Sequence, residues 1–248
     1  MSLQKVDTVS SYTTRLSVDL GTIEYHRCLD LQHLLVSRRK AGIIPDILLF
    51  LEHSPGVYTI GRKADPANFP GLDPVRIERG GDITYHGEGQ LVVYPIFDMR
   101  SSGKIDVRRF VQRIESVAIK AIEQLGYKAG VGDEPGIWVG NKKVASIGMA
   151  IDEFVSYHGI AFNYSPKVLE SFMKIRPCGL DPASMGYLET SRNRLLQVLY
   201  DAFSAEFGDF SIIDREIVLP GLCGHPSELP DSFRFAKPLI HGKGHHEE

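Results

Sequence analysis

The stretch RGGDITYHG at residues 79–87 combines paired glycines with a cation, a carboxylate and a histidine. Paired glycines let backbone N–H groups approach a ligand closely, because no side chain shields them. Arg79 or Asp82 could hold polar groups of such a ligand, and His86 could carry a proton near neutral pH. The alternative is a glycine turn between two strands with an ordinary surface ion pair. The stretch therefore predicts a tight turn beside a strand and a candidate pocket wall.

Two further stretches supply the reactive groups that this wall lacks. KVASIG at residues 143–148 places Lys143 ahead of small residues, and RPCG at residues 176–179 places Cys178 between a proline and a glycine. A thiol and an amine beside a flexible backbone are the groups that acyl transfer between two carriers requires. The three stretches together favour an enzyme.

Length and composition bound the class of protein. The chain has 248 residues, of which 43% are hydrophobic and 24% charged, with a formal net charge of −3. These values fit one large α/β domain, or a large and a small lobe with a shared core. The small net charge does not indicate an overall electrostatic attraction to nucleic acid or membranes. The N-terminus shows no secretory pattern, and no run approaches the ~18 apolar residues of a membrane span. We therefore expect a cytoplasmic protein.

Hydrophobic periodicity predicts an alternation of helices and strands, which is typical of the α/β class. The predicted helices cover residues 22–40, 106–125 and 191–207, with a short helical piece at 166–174. The predicted strands cover residues 46–53, 57–61, 75–79, 90–98, 137–139, 142–151 and 157–164. Residues 62–74 are predicted to form a surface loop, and the remainder from 212 to 238 is rich in loops.

The three cysteines, Cys28, Cys178 and Cys223, are too few and too far apart for a disulfide framework or a cysteine-rich zinc site. Cys28 lies in a predicted helix and is expected in the core. Cys178 lies outside any periodic segment and follows two nearby cations, which favour a thiolate. It is the first candidate nucleophile, with a buried structural thiol as the alternative. Cys223, in a glycine-bracketed loop, is the second candidate.

Lys143 is the candidate base. It follows a predicted two-residue turn, and in that register it lies opposite Trp138 and on the same face as Ala145. Burial among apolar residues lowers the pKa of a lysine, which makes it a usable base. A shift of one residue would exchange Lys142 and Lys143, so periodicity alone does not choose between them. The alternative is a strand lysine whose ammonium reaches solvent.

Other site chemistries find little support. His86 and His158 share a Tyr-His-Gly pattern, and either could shuttle a proton or serve as a satisfied structural residue. The chain has no HExxH, no CxxC, no EF-hand loop, no Walker loop, no GxGxxG opening a helix and no GxSxG. The sequence therefore predicts neither a metal nor a nucleotide cofactor.

Several motifs, in one order along the chain, resemble those of the octanoyltransferases of lipoate biosynthesis. They are PGVYTIGR (55–62), RGGDITYHG (79–87), GQLV (89–92), Lys143 with SIG (146–148), HGIA (158–161) with Asn163, and PCGL (177–180). Glu88 stands where the family usually has proline and Val93 where glycine is common, and neither change removes a chemical group. The resemblance covers about residues 12–225, so we expect a catalytic domain over residues 1–225 and a loop-rich tail over 226–248.

The resemblance implies a mixed β-sheet flanked by helices, as in the catalytic domain of biotin and lipoate protein ligases. It implies an acyltransferase in which Cys178 takes octanoyl from octanoyl-acyl carrier protein as a thioester, and a lysine of a lipoyl domain then receives it as an amide. Lys143 would keep the thiol deprotonated and then deprotonate the incoming amine. The implied acceptors are lipoyl domains of 2-oxoacid dehydrogenases and the glycine cleavage H protein, the implied enzyme is a monomer, and no cofactor or metal is implied.

The resemblance also implies the residues that line the acyl pocket. They are Arg79, Gly80, Gly81, Asp82, Ile83, Thr84, Tyr85, His86, Ser146, Ile147, Gly148, His158, Gly159, Ile160 and Ala161. Small residues at 80, 81, 145, 148 and 159 would leave room for an apolar chain beside Cys178. Backbone amides of the glycine-rich turns would hold the thioester oxygen.

Two rival functions follow from the same residues. An ATP-dependent lipoate or biotin protein ligase on this fold would keep Lys143, which would touch the acyl-adenylate, but would not require Cys178. A non-catalytic module that binds an acyl carrier would form a tight complex and no covalent adduct. The thiol between Pro177 and Gly179 favours the transferase over both.

Overall fold

The computed structural model describes residues 15–102, 105–132 and 134–219. The strands are β1 (Arg15–Ile23), β2 (Ile47–His53), β3 (Val57–Ile60), β4 (Val75–Arg76), β5 (Ile83–His86), β6 (Gln90–Ile96), β7 (Ala129–Val131), β8 (Ile137–Val139), β9 (Lys142–Asp152), β10 (Val155–Asn163) and β11 (Phe210–Ile212). The helices are α1 (Tyr25–Lys40), α2 (Val107–Gln124), α3 (Lys167–Phe172), α4 (Arg192–Phe207) and α5 (Arg215–Val218). Short 3₁₀ turns lie at Pro66–Asn68, Met99–Ser102, Pro177–Gly179 and Pro182–Ser184.

The strands form a large sheet and a small one. The large sheet has the order β11-β1-β2-β6-β10-β9-β8-β7, and the small sheet has the order β4-β3-β5. In the large sheet β1 runs parallel to β2 and β11 and the other pairs are antiparallel, so the sheet is mixed, as predicted. The predicted fold class, a mixed sheet flanked by helices, is confirmed.

Three apolar clusters hold these layers together. Helices α2 and α4 cover one face of the large sheet, and α1 covers the other, where Leu31 and Leu35 are fully buried. The small sheet packs with α3 in a third cluster around Ile83 and Phe172. Strands β2, β6 and β10 are buried along their whole length because both faces of the large sheet are covered.

The first helix begins later than the sequence predicted. Thr22, predicted as its cap, lies in β1, and the cap is Glu24, whose carboxylate accepts hydrogen bonds from the N–H groups of His26 and Arg27. Strand β1 was missed, although apolar residues at every second position from Leu16 alternate with polar residues as a strand requires. The short strands β5, β7 and β11 and the short helix α5 were also missed, and the predicted strand 75–79 shrinks to β4.

The other helices follow the prediction closely. Helix α2 is capped by Asp106 and α4 by Ser191, each through its side-chain oxygen. Helix α4 ends at Gly208, whose φ of 94° suits a residue without a side chain. The predicted loop 62–74 contains only the short turn at Pro66–Asn68. Within the described ranges, no helix is long and apolar enough to cross a membrane.

The hairpin of β8 and β9 has the predicted pairing next to its turn, but the register shifts beyond it, where Ile137 pairs with Ala145. Its turn is at Gly140 and Asn141, and Trp138 lies opposite Lys143. Strand β9 continues past the end of β8 and pairs with β10 along its other edge. Cys223 and the predicted boundary between residues 225 and 226 lie outside the described residues.

Candidate active site

A cavity of about 470 Å³ is lined by residues from both sheets, from α2 and from the turn at Pro177–Gly179. Its volume falls within the range of roughly 300–1,000 Å³ that is usual for small-molecule sites. The cavity brings together the three stretches that the sequence singled out, since Arg79, Lys143 and Cys178 all line it. Every predicted pocket residue lines it except Tyr85, whose ring packs on Tyr58 and Phe172 outside the cavity.

Cys178 sits on an irregular piece of backbone. The residue has φ 56° and ψ 30°, the left-handed region that non-glycine residues seldom occupy. Two backbone bonds close the turn around it, from Gly179 N–H to the carbonyl of Arg176 and from Leu180 N–H to that of Pro177. Strained residues of this kind cluster at functional sites. The side chain is half-buried, so the thiol is reachable from the cavity.

Lys143 stands on the regular strand β9 and is only 2% exposed. Burial lowers the pKa of its ammonium, while the nearby Cys178 and Glu134 act in the opposite direction. Gly136 leaves room for its aliphatic stem, because an added Cβ there would meet Lys143 Cε at 2.5 Å. Lys142, by contrast, is exposed and donates to the carbonyl of Ala183. The structure therefore brings the amine of Lys143, and not that of Lys142, to the cavity.

Arg79 is a buried cation in the cavity wall. Its guanidinium donates to the backbone carbonyl of Thr59 at 2.7 Å, to the Thr59 hydroxyl at 3.0 Å and to the carbonyl of Gly80 at 3.0 Å. These partners are neutral, and Nε has no hydrogen-bond partner in the part of the chain that the structure describes. Burial lowers the pKa of Arg79, and the negative charge of a Cys178 thiolate would raise it. The Arg79 guanidinium therefore places a positive charge near Cys178, on the side of the small sheet.

Asp82 ties the small sheet to the nucleophile turn. One carboxylate oxygen accepts from Asp65 N–H at 3.1 Å and the other accepts from the Asn68 amide. The Asn68 carbonyl in turn accepts from Arg176 N–H at 2.8 Å, two residues before Cys178. Asp82 lines the cavity, but its carboxylate is engaged in positioning the neighbouring loop.

Three histidines near the cavity are neutral at neutral pH. Burial lowers the pKa of His53 to about 4 and those of His86 and His158 to about 3. His53 accepts from the Tyr94 hydroxyl at 2.9 Å, and its ring lies tilted against that of Tyr25 at a centroid distance of 4.9 Å. His53, Tyr25 and Tyr94 were not predicted as site residues, because nothing in their local sequence separates them from core residues.

The rest of the wall is apolar. It includes Ile77, Ile83, Val92, Ile147, Met149 and Ile151, with Val107 and Val111 from α2. Beyond Lys143 and its neighbours, β9 pairs with no described strand on the β8 side, and Ile147 and Met149 are partly exposed to the cavity. Glu115 also lines this side, and burial raises its pKa. Such a surface suits a hydrocarbon chain, since each buried CH₂ is worth about 0.8 kcal/mol.

Several of the small residues that were predicted to leave room for an acyl chain instead allow neighbouring groups to pack closely. A Cβ on Gly159 would meet the Val93 carbonyl oxygen at 2.1 Å, so this glycine lets β10 approach β6. A Cβ on Gly148 would meet Arg79 Cδ at 2.9 Å, so Gly148 makes room for the guanidinium stem. Ala145 lies in the first apolar cluster and does not line the cavity. The Gly80 amide, predicted to be free for a ligand, donates to the Met149 carbonyl at 3.1 Å.

Comparison with known proteins identifies a family of similar chains. The family described as "Lipoyl protein ligase A/B catalytic domain" matches residues 24–208. An octanoyltransferase of Syntrophobacter fumaroxidans is 42% identical over 189 residues, covering 72% of this chain and 80% of that protein. An octanoyltransferase of Koribacter versatilis is 39% identical over 234 residues, covering 86% and 91%.

Solved structures give the same fold at low identity. Lipoate-protein ligase A bound with ATP superposes with a TM-score of 0.65 at 15% identity, covering 87% of this chain and 96% of that one. The bipartite lipoate protein ligase of Thermoplasma acidophilum gives 0.64 at 15% identity, covering 87% and 94%. At this identity the likeness speaks for the fold alone. The sequence matches go further, and with them the chain belongs to the family of lipoyl protein ligase A/B catalytic domains.

Proposed function

We propose that this protein is an octanoyltransferase that moves an octanoyl group from octanoyl-acyl carrier protein, through a thioester on Cys178, to a lysine of a lipoyl domain. The observation that carries the proposal is the meeting of Cys178 and Lys143 in one cavity whose remaining wall is largely apolar. The relatives' name, octanoyltransferase, supports the acyl group and the reaction class.

In the first half-reaction the neutral amine of Lys143 takes the proton of the Cys178 thiol. The thiolate attacks the thioester carbonyl of the donor, the carrier leaves as a thiolate, and Lys143 returns the proton to it. Burial lowers the pKa of Lys143, which favours the neutral amine over the ammonium. The Arg79 guanidinium stabilises both the Cys178 thiolate and the negative charge that develops on the carbonyl oxygen.

In the second half-reaction the acceptor lysine attacks the Cys178 thioester as a free amine. Its surplus proton passes to Lys143, the Cys178 thiolate leaves, and a stable octanoyl amide remains. Lys143 therefore accepts a proton at the start of each half-reaction. No further proton acceptor is needed, which fits the neutral state of His53, His86 and His158.

The proposed partners follow from this chemistry. The donor is octanoyl-acyl carrier protein, and the acceptors are lipoyl domains of 2-oxoacid dehydrogenases and the glycine cleavage H protein. One structural relative was solved as part of a lipoylation system that includes an E2 lipoyl domain, which supports a lipoyl-domain acceptor. We propose that the enzyme works as a cytoplasmic monomer.

The proposal is tested by intact-mass analysis after mixing the protein with octanoyl-acyl carrier protein and no nucleotide. We expect one octanoyl adduct, mapped by peptide analysis to Cys178, that disappears when a lipoyl domain is added. An ATP-dependent ligase, whose fold this chain shares, would instead release AMP from ATP and a free acid without an enzyme adduct. AMP release, or tight carrier binding with no adduct, would overturn the transferase.

A further inference from the structure

A chain of hydrogen bonds runs through the protein interior from the cavity to the strand that carries Lys143. His86 Nδ1 lies 2.7 Å from Gln90 Oε1, and Gln90 Nε2 lies 2.9 Å from Asn163 Oδ1. Asn163 Nδ2 donates to the Gly186 carbonyl at 2.8 Å. We name these four residues the amide chain. Its side chains are 8% exposed at His86, 0% at Gln90 and 1% at Asn163, so each bond is shielded from water.

The far end of the amide chain fixes the direction of every bond in it. Gly186 offers Asn163 a carbonyl oxygen, which can only accept, so Asn163 must turn its NH₂ toward Gly186. Asn163 Oδ1 then faces Gln90 and requires the Gln90 NH₂. Gln90 Oε1 is left to face His86, and an acceptor there requires a proton on His86 Nδ1. The tautomer of His86 is thereby determined by a backbone carbonyl three bonds away.

The other ring nitrogen of His86 consequently carries a lone pair. The ring lines the cavity, and within the described residues no hydrogen bond to Nε2 is present. His53 makes a useful comparison, because its Nδ1 faces the Ile23 carbonyl while its Nε2 accepts from the Tyr94 hydroxyl. In His158 the Nε2 atom lies 3.6 Å from the Glu78 carboxylate. His158 Nε2 is buried with no hydrogen-bond partner among the described residues, since 3.6 Å is too long for one, so the cavity histidine whose lone pair the hydrogen bonds place on Nε2 is His86.

The amide chain is also attached to the catalytic strand. Gly186 N–H donates to the Lys143 carbonyl at 2.9 Å, and Leu188 N–H donates to the Asn163 carbonyl at 2.8 Å. The segment 185–188 therefore bridges β9 and β10 behind the cavity. The orientation of the His86 ring and the position of Lys143 depend on the same buried amides.

We propose that His86 Nε2 accepts a hydrogen bond from the N–H of the primary amine that attacks the acyl-enzyme, and that Asn163 is a positioning residue for that contact. This inference rests on the function proposed above. The amine brings an N–H to the reacting centre, whereas the thioester of the first half-reaction brings none. A neutral acceptor at His86 would orient the amine with its lone pair toward the carbonyl, while Lys143 takes the proton.

The tautomer is tested directly by ¹⁵N NMR of the protein labelled at histidine. We expect the His86 signals of a neutral ring with the proton on Nδ1, assigned by comparison with His86→Gln. The signals should persist to pH 5, because burial lowers the pKa of His86 to about 3. A proton on Nε2, or a charged ring at neutral pH, would overturn the inference whatever the enzyme transfers.

The role is tested by timing the two half-reactions separately. In His86→Phe we expect transfer from the isolated adduct to a lipoyl domain to slow about tenfold more than adduct formation does, the usual worth of one hydrogen bond. In His86→Gln a side-chain oxygen can accept instead, so transfer should largely recover. Equal slowing of both steps, slowing of adduct formation alone, or no slowing would each contradict the proposal.

Asn163→Leu gives an independent test that leaves the cavity wall intact. Leucine has nearly the shape of asparagine but offers the Gln90 NH₂ no acceptor, so the Gln90 amide is no longer held in one orientation, His86 loses its fixed tautomer, and the transfer step should slow more than adduct formation. The matched control is Asn141→Leu, which makes the same change at an exposed turn. If both variants behave alike, Asn163 has no positioning role. If the wild type forms no adduct at all, the proposed function fails, and the NMR result still decides the tautomer.

Discussion

Lys143 and Cys178 meet in one cavity, but two different kinds of structure hold them. Lys143 is the second residue of strand β9, where it is paired with Trp138 of β8 and its side chain is buried. Cys178 stands on a short turn with left-handed backbone, tied to the small sheet through Arg176 and Asp82. The large sheet therefore fixes the base, and the small sheet with its loops fixes the nucleophile.

This difference places the base on a rigid part of the site and the nucleophile on an accessible part. A base buried in a sheet keeps its lowered pKa, because the same strands that position it also exclude water. A nucleophile on a turn remains reachable by two large protein substrates in succession, which a residue in a paired strand would not be. Changes on the large sheet should therefore alter acid–base behaviour, and changes at the turn should alter covalent chemistry.

The largest expected effect is at the turn. Cys178→Ser should abolish octanoyl transfer and the octanoyl adduct, because a hydroxyl has no accessible anion at neutral pH. Cys28→Ser and Cys223→Ser should keep most of the activity. Burial raises the pKa of the Cys28 thiol, which removes it from nucleophilic chemistry. Steady-state transfer and intact mass measure all three variants, and an adduct mapped to Cys223 would contradict the assignment.

On the large sheet, Lys143→Ala should slow transfer by about 10²–10⁴-fold, the usual contribution of a positioned acid–base group. The neighbouring Lys142→Ala is the matched control and should be mild, since Lys142 is exposed and contacts the Ala183 carbonyl. The rate of Cys178 alkylation at a fixed pH gives a second measurement, which should fall when Lys143 is lost because the thiol loses its base. Harmless loss of Lys143 with a crippling loss of Lys142 would reverse the assigned roles.

The regular parts of the fold could be predicted from the sequence. Helices α2 and α4 show a clear 3.6-residue pattern and capping residues, and the turn at Gly140 and Asn141 set the register of β9. The missed strands β1 and β11 pair in parallel across long stretches of chain, so no local turn signals them. Strand β1 also runs almost directly into α1, which hid the boundary between them.

The candidate site could be predicted only in part. Chemistry-bearing motifs at Arg79, Lys143 and Cys178 were visible, because glycines and prolines around them mark unusual backbone. The aromatic and histidine contacts of Tyr25, His53 and Tyr94 were not, because they arise from three separate strands and helices that meet only in the fold. The packing roles of the pocket glycines were likewise invisible, since a close approach depends on the facing element.

The neutral histidines predict acid sensitivity of the fold around the site. The unfolded pKa of histidine is near 6.5, and burial lowers that of His53 to about 4 and those of His86 and His158 to about 3. The unfolded chain therefore binds more protons below about pH 6.5, so stability is full above that pH and falls as the pH drops through the window. Each histidine should cost about 2 kcal/mol by pH 5.

The measurement is the free energy of unfolding in denaturant at several pH values between 5 and 7. His53→Gln keeps a donor and an acceptor for the Ile23 carbonyl and the Tyr94 hydroxyl, so it should reduce the slope against pH by about 1.4 kcal/mol per unit, the value for one proton. His26→Gln, which makes the same change at an exposed residue, is the matched control. An unchanged slope in His53→Gln would mean that His53 is protonated in the fold.

The smallest expected effect tests whether Gly148 leaves room for the Arg79 side chain or for the acyl chain. Transfer rates for acyl carriers bearing butanoyl to octanoyl chains should rise about fourfold for each CH₂, because each buried CH₂ contributes about 0.8 kcal/mol. Gly148→Ala should displace Arg79, whose Cδ an added Cβ would meet at 2.9 Å, and leave the apolar wall around Met149 in place. We therefore expect adduct formation to slow several-fold for every chain length, without a change in the preferred length.

Gly130→Ala, where an added Cβ meets nothing within 4 Å, is the control. A shift toward shorter chains in Gly148→Ala would show that the acyl chain, and not the guanidinium, occupies the space at this glycine.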